Sequence, residues 1–339
     1  MLTAIYTIII FCLIIAIHEF GHFIMAKLTG VTVHEFSIGM GPKLFGFRKG
    51  GTDYKFSLLP IGGYVKLEGE DSESDDPNAF GNKKPWQRLL VLAAGALMNF
   101  VLGFVLFVIW CSFSKGFTTN IVDNIVEKSA FEEAGIRSGD VIVRMEGNNC
   151  KTNVHDYYDI YYFSYKNGTN TAKITFKRDG KKFERVITPK YAESAERAIF
   201  GFSTAIQKPN PVTVVSAAYR QSIFVVKIVV SSFADLIKGT VHMSDMSGPV
   251  GIVNEIGSAA KQGILDVIYL AGLISINLGV VNLFPLPALD GGRIIFVIIE
   301  VIRRKPVDRN KEGLVHLIGF ALLILLMIFI TYADIMKLV

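Results

Sequence analysis

The residues best equipped for chemistry lie near the start of the chain, in His18-Glu19-Phe20-Gly21-His22. On a helix, residues four apart share a face, so His18 and His22 can grip one zinc ion. Glu19 between them is placed to act as general base. A hydrolytic zinc takes three protein ligands and keeps one position open. A second stretch, Asn282 to Gly292, supplies the third candidate. Pro285 and Pro287 stop a helix there, Gly291-Gly292 is expected to let the backbone turn sharply, and Asp290 brings a carboxylate. Two imidazoles and a carboxylate suit zinc among the divalent metals. The competing role for Asp290 is a plain helix cap for the segment from Gly291 to Ile302.

Both motifs lie in apolar surroundings. The chain has 339 residues, 51% of them hydrophobic, with a mean hydropathy of +0.41, too apolar for an ordinary soluble enzyme. The run from Leu2 to Lys27 is long enough to cross a bilayer of ~30 Å. His18 then lies roughly 24 Å along it, towards the second membrane face. Ionisable residues at such depth default to function. The run has no basic n-region and no small-residue cleavage site, so it reads as retained rather than as a signal peptide. Cys12, Cys111 and Cys150 are far apart and suggest neither a disulfide framework nor a cysteine metal motif.

The elements that must position these residues follow in order. Transmembrane helix 1 covers 1–28. A β-hairpin region on the cytoplasmic side, with a turn at Gly50-Gly51 and bends or close backbone approach at Gly39, Gly41, Gly62 and Gly63, covers 29–88. A sheet beside a metal site can hold a substrate segment as an added strand, although it can equally be a mere tether. The acidic run Glu68, Glu70, Asp71, Glu73, Asp75 and Asp76 reads as a solvated loop; its spacing does not fit an EF-hand. Transmembrane helix 2 covers 89–113, with a small-residue face of Gly95, Ala96 and Gly103. Asn99 within it either lines the site or bonds across helices. Residues 115–205 are mostly β, and the order of a short helix at Ser129 to Ile136 before Ser138-Gly139-Asp140 resembles a PDZ domain of the bacterial protease type. Amphipathic linker helices are expected over 206–263, because Arg220 and Lys227 fall seven apart on one face. Transmembrane helix 3 and its proline loop cover 264–292, a basic cytoplasmic loop 293–313, and transmembrane helix 4 covers 314–336. His316 at the start of that helix reads as interfacial.

Charge placement fixes an expected topology. The loops carrying Lys43, Arg48, Lys49, Lys83 and Lys84, and Arg303 to Lys311, belong in the cytoplasm. Four spans put both termini outside and bring His18, His22 and Asp290 together near the cytoplasmic side. A fifth span at Val212 to Ile237 would put the second basic loop on the wrong side. The expected fold is a multi-pass α-helical membrane protein of four transmembrane helices, with a membrane-associated β-hairpin region and one extracytoplasmic PDZ domain.

The pair of motifs, H-E-F-G-H and N-x-x-P-x-P-x-L-D-G-G, resembles the site-2 protease family of intramembrane zinc metalloproteases. Gly62-Gly63-Tyr64-Val65 and Ser247-Gly248-Pro249 are similar to its bacterial branch, in a form with a single PDZ domain. The resemblance covers almost the whole chain. It implies zinc held by His18, His22 and Asp290, Glu19 as the catalytic base, and Asn282 as a substrate-backbone or oxyanion residue. It also implies cleavage of single-span membrane proteins such as anti-sigma factors or remnant signal peptides. That cut would follow a prior one by a separate site-1 protease, in the cell membrane and with no nucleic-acid partner. The rival classes are a non-catalytic membrane PDZ scaffold and a metal transporter or sensor. The first has no need of Glu19 or Asp290; the second needs ionisable residues along several spans, which spans two and four lack.

Overall fold

A computed structural model of the chain describes residues 2–70, 74–148, 150–192, 197–239 and 248–336. The elements run α1 (Leu2–Leu28), β1 (Val33–Lys49), β2 (Thr52–Leu67) and α2 (Pro85–Ser112). Then come β3 (Phe117–Ile125), α3 (Ala130–Glu133), β4 (Val141–Glu146), β5 (Lys151–Asn153) and α4 (Tyr157–Asn167). They continue with β6 (Ala172–Arg178), β7 (Lys181–Ile187), β8 (Lys190–Ala192), β9 (Arg197–Ile199) and β10 (Phe202–Gln207). The chain closes with α5 (Pro211–Ile237), α6 (Pro249–Gln262), α7 (Ile264–Asn282), α8 (Asp290–Arg303) and α9 (Arg309–Met336). Two compact units divide them: residues 1–109 with 225–339, and residues 110–224.

In the first unit, α1, α2, α7 and α9 are long and apolar enough to cross a membrane. The protein is therefore a multi-pass membrane protein. Along α2, Leu97, Val101, Val105 and Ile109 are exposed, while Val91, Gly95, Asn99, Gly103 and Phe107 on another stripe are buried. The small residues expected to form a packing face do so: a Cβ on Gly103 would meet Ile276 and the Gly272 carbonyl of α7. Ile10 and Ile14 of α1, Ile256 of α6, and Val267 and Ala271 of α7 form one buried apolar cluster.

The region after α1 is a single antiparallel ribbon that curls on itself. Gly50 and Gly51, with φ of +56° and +78°, make the two-residue turn between Lys49 and Thr52. Gly39 and Gly62, both at φ +86°, bend β1 and β2. Residues 35–38 consequently pair with 63–66 on one side and 53–56 on the other, and residues 63–67 form an edge beside α1.

Three differences from the sequence reading have clear physical reasons. Residues 211–237 form one continuous helix, not several, and it is a fifth that passes the length and hydropathy test for a membrane span, at 1.4 against 2.1 or more for the others. Arg220 does not interrupt it, because its charge pairs with Asp156 at 3.2 Å. The expected basic loop 293–313 is helical to Arg303, because Val297 is buried and, with Ile294, packs in a cluster with Ala26, Val91 and Leu92. Gly291 and Gly292 do not turn the chain. They lie in the first turn of α8, where a Cβ would overlap the main chain of residues 283–287. The left-handed residue is Ala288, at φ +74°.

In the second unit the sheet order is β10-β3-β4-β6-β7, with β5 beside β4. Its core includes Phe131, Ile142, Phe163, Ile174 and Phe176. The short helix starts at Ser129, whose hydroxyl accepts from the Glu132 N–H, and Asp179-Gly180 closes the β6–β7 turn, as the sequence indicates. Asp140, almost fully buried, pairs with Arg178 at 2.6 Å. Asp71 and Glu73 of the acidic run, and Ser247 with the rest of 240–247 in the linker, lie outside the described residues. Glu68 and Glu70 are not simply solvated: Glu68 pairs with His34 and Glu70 with Arg293.

Candidate metal centre

Three elements bring the site together. α1 carries His18, Glu19 and His22, α2 packs across both imidazoles, and the first residue of α8 is Asp290. Asp290 does not cap that helix. Leu289 is the N-cap residue, and the Asp290 carboxylate turns to the histidines instead.

The three donor atoms form a small triangle. His18 Nε2 is 3.2 Å from His22 Nε2 and 3.2 Å from Asp290 Oδ2, and His22 Nε2 is 3.4 Å from that oxygen. Donors about 2.0–2.1 Å from a tetrahedral zinc stand about 3.3 Å apart, so the spacing fits the ion. The chemistry of the set fits as well. His22 Nδ1 faces the Val91 carbonyl at 2.8 Å, which keeps its proton on Nδ1 and leaves Nε2 as a lone-pair donor. Asp290 Oδ2 is buried without a hydrogen-bond partner among the described residues, facing the two Nε2 atoms. His18, His22 and Asp290 can thus hold a metal, and they are the one such group found among the described residues.

Glu19 lines the same cavity of about 240 Å³, with Tyr64, Val65 and Arg293. Its side chain lies beside the ribbon's edge strand, where Val65 lines the cavity with it and Gly63 approaches it closely. The close approach explains Gly63, where a Cβ would press on the Glu19 side chain and on the Ser37 carbonyl. Asn282 ends α7, half-buried, and is not among the described residues that line this cavity.

The sequence left open or misjudged several residues that shape the site, and of its two alternatives for Asn99 it left the choice undecided. Gly95 is more than a packing residue, because a Cβ there would overlap both imidazoles. Asn99 faces His18 Nδ1 at 3.2 Å. His316, expected to be interfacial, is mostly buried and accepts the Ala288 N–H at Nδ1, 2.9 Å away, two residues before Asp290. A second cavity, of about 490 Å³, shares Glu70, Leu92, Ala288 and Arg293 with the first and is also lined by Arg88, Glu300, Glu312 and His316. The one sequence signal for Asn99 was its place as a polar residue in an apolar helix, four residues after Gly95.

A membrane-length helix carrying His18, Glu19 and His22, with Asp290 at the start of the short α8 completing the ligand geometry, is the arrangement of a membrane metallopeptidase. The sequence matches peptidase family M50 over residues 6–326, and the chain belongs to that family. It is an intramembrane zinc metalloendopeptidase. A relative in Clostridium acetobutylicum, named as a zinc metalloprotease, is 39% identical over 97% of this chain and 96% of its own. One in Clostridium perfringens, similarly named, is 37% identical over 98% of each. Zinc metalloprotease RasP of Bacillus licheniformis is 30% identical over 99% of each.

Proposed function

We propose that this chain cuts single-span membrane proteins within the bilayer, using zinc held by His18, His22 and Asp290 and a proton carried by Glu19. The observation that carries the assignment is the donor triangle with 3.2–3.4 Å edges beside the Glu19 carboxylate. Zinc, when bound, supplies the Lewis acidity that activates water and polarises a substrate carbonyl. Glu19, beside the ligand triangle, takes the proton from the attacking water and gives it to the leaving amine. Asn282 holds the substrate backbone or the developing oxyanion once substrate is present. The second cavity shares Glu70, Leu92, Ala288 and Arg293 with the first, and we read it as the side from which water reaches the site.

A membrane helix must unwind before its peptide bonds are open to attack. The edge formed by residues 63–67 suits an extended segment added as a further strand, next to Glu19. Unit 110–224 is read as the PDZ domain, outside the cell membrane. Its role is to bind or to filter substrates already shortened by a site-1 protease, with anti-sigma factors and remnant signal peptides as the substrate classes.

The crossing helices are α1, α2, α7 and α9, with both termini outside. The first part of α5 belongs to unit 110–224: the Phe224 ring lies tilted against Tyr158 and edge-on to Tyr161 of α4, at 5.1 and 5.8 Å. Beyond it, Val225 to Ile237 extends only ~20 Å, too short for a ~30 Å hydrocarbon core. α5 is therefore read as an interfacial helix, which keeps the basic residues from Arg303 to Lys311 in the cytoplasm.

Metal analysis of the purified protein tests the ligand set. The full chain carries about one zinc, and Asp290→Ala loses most of it while Glu19→Gln keeps it. Zinc retained by Asp290→Ala at the wild-type level would remove Asp290 from the set.

A further inference from the structure

Both imidazoles of the site are held from one side by a single stripe of α2. Val91, Gly95 and Asn99 are four residues apart and share a face. The Val91 carbonyl accepts from His22 Nδ1, and Gly95 leaves room for both rings. Asn99 is wholly buried, with its amide 3.2 Å from His18 Nδ1. The Ser275 hydroxyl donates to the Asn99 carbonyl at 2.8 Å, which ties this turn of α2 to α7. The amide presents Nδ2 to the ring and leaves Oδ1 buried without a partner among the described residues. A half-turn of the terminal amide exchanges the two atoms and sets Oδ1 against Nδ1.

That exchange decides which ring nitrogen carries the proton. A neutral imidazole has one donor and one acceptor nitrogen. With Nδ2 donating to Nδ1, the ring proton sits on Nε2 and points into the ligand triangle. With Oδ1 accepting from Nδ1–H, His18 Nε2 offers a lone pair towards His22 Nε2 and Asp290 Oδ2. The second arrangement also satisfies the orphaned oxygen.

We propose that Asn99 is a positioning residue: its Oδ1 accepts the Nδ1–H of His18, fixes that tautomer and so prepares Nε2 to bind zinc. This rests on the reading of His18, His22 and Asp290 as ligands. The two histidines are then set by different means. The proton of His22 is placed by main chain, which no substitution removes. That of His18 is placed by one side chain, through which zinc affinity changes with no ligand touched.

The test pairs two measurements on the full chain in detergent. Ring nitrogen NMR of metal-free protein, at a pH above the imidazole range, is expected to find the His18 proton on Nδ1. Competition with a chelator is expected to show zinc affinity weakened roughly 10–100-fold in Asn99→Leu. Asn99→Asp, which still offers an oxygen acceptor, stays close to wild type. A proton on Nε2, an Asn99→Leu variant with wild-type affinity, or an Asn99→Asp variant as weak as Asn99→Leu would each overturn the proposal. The tautomer is read on the unaltered chain, so it decides the matter even if Asn99→Leu does not fold. A wild-type chain that takes up no zinc would count against the ligand set instead, with the tautomer still deciding the part of Asn99.

Discussion

At the scale of single residues, the site depends on what is missing as much as on what is present. Gly95 is the sharpest case, because its absent side chain is where the His18 and His22 rings lie. Gly95→Ala is expected to lose zinc and to lower cleavage by about 10–100-fold, since both imidazoles must move. Metal content and peptide cleavage on the same preparation check this, and a variant with full zinc would show that the helices can part at no cost. The histidines, Glu19 and Asp290 were legible in the sequence because each is a costly polar residue in an apolar setting with a spacing that a helix or a broken helix explains. Val91 was not legible, because it acts through its main chain, and a side-chain pattern says nothing about which carbonyl will face the site.

At the scale of elements, Asp290 is held from two directions. Residues 283–287 lie against the first turn of α8, which only Gly291 and Gly292 permit, and His316 of α9 holds the Ala288 N–H. Gly291→Ala is expected to displace Asp290 and reduce zinc occupancy severalfold. His316→Phe removes one acceptor and costs about 1 kcal/mol of stability, measured as a lower unfolding temperature, with zinc retained. Equal unfolding temperatures would mean that water replaces His316. The hairpin could be placed from the alternation of residues and from Gly50-Gly51, but its curl could not. Residues 35–38 pair on both sides only because β1 and β2 both bend, and pairing of that kind is a tertiary event. The helix over 290–303 entered the sequence reading only as the segment that Asp290 would cap, and the charges of Arg293, Arg303 and Arg304 otherwise gave its span to a basic loop.

At the scale of the whole molecule, the two units answer to different conditions. In unit 110–224, burial pushes the Asp140 carboxyl up, but Arg178 and the Arg137 N–H more than offset this and hold it below the usual carboxylate range. Its charged form therefore contributes stability above ~3.9, the ordinary value of a free aspartate. That contribution is lost as the pH falls from there through the lower value in the folded protein. Thermal unfolding followed across that window should show a falling midpoint for wild type and a flatter profile for Asp140→Asn, which starts lower; parallel profiles would mean another group governs acid unfolding. In the membrane unit, the proposed role of Glu19 is to move the proton for a cut made inside the bilayer. The most direct measurement is cleavage of a single-span substrate by the full chain in detergent, wild type against Glu19→Gln, with zinc read on the same samples. Cuts within the membrane segment by wild type alone, with equal zinc in both, are expected. Equal cleavage by the two proteins would contradict that role for Glu19.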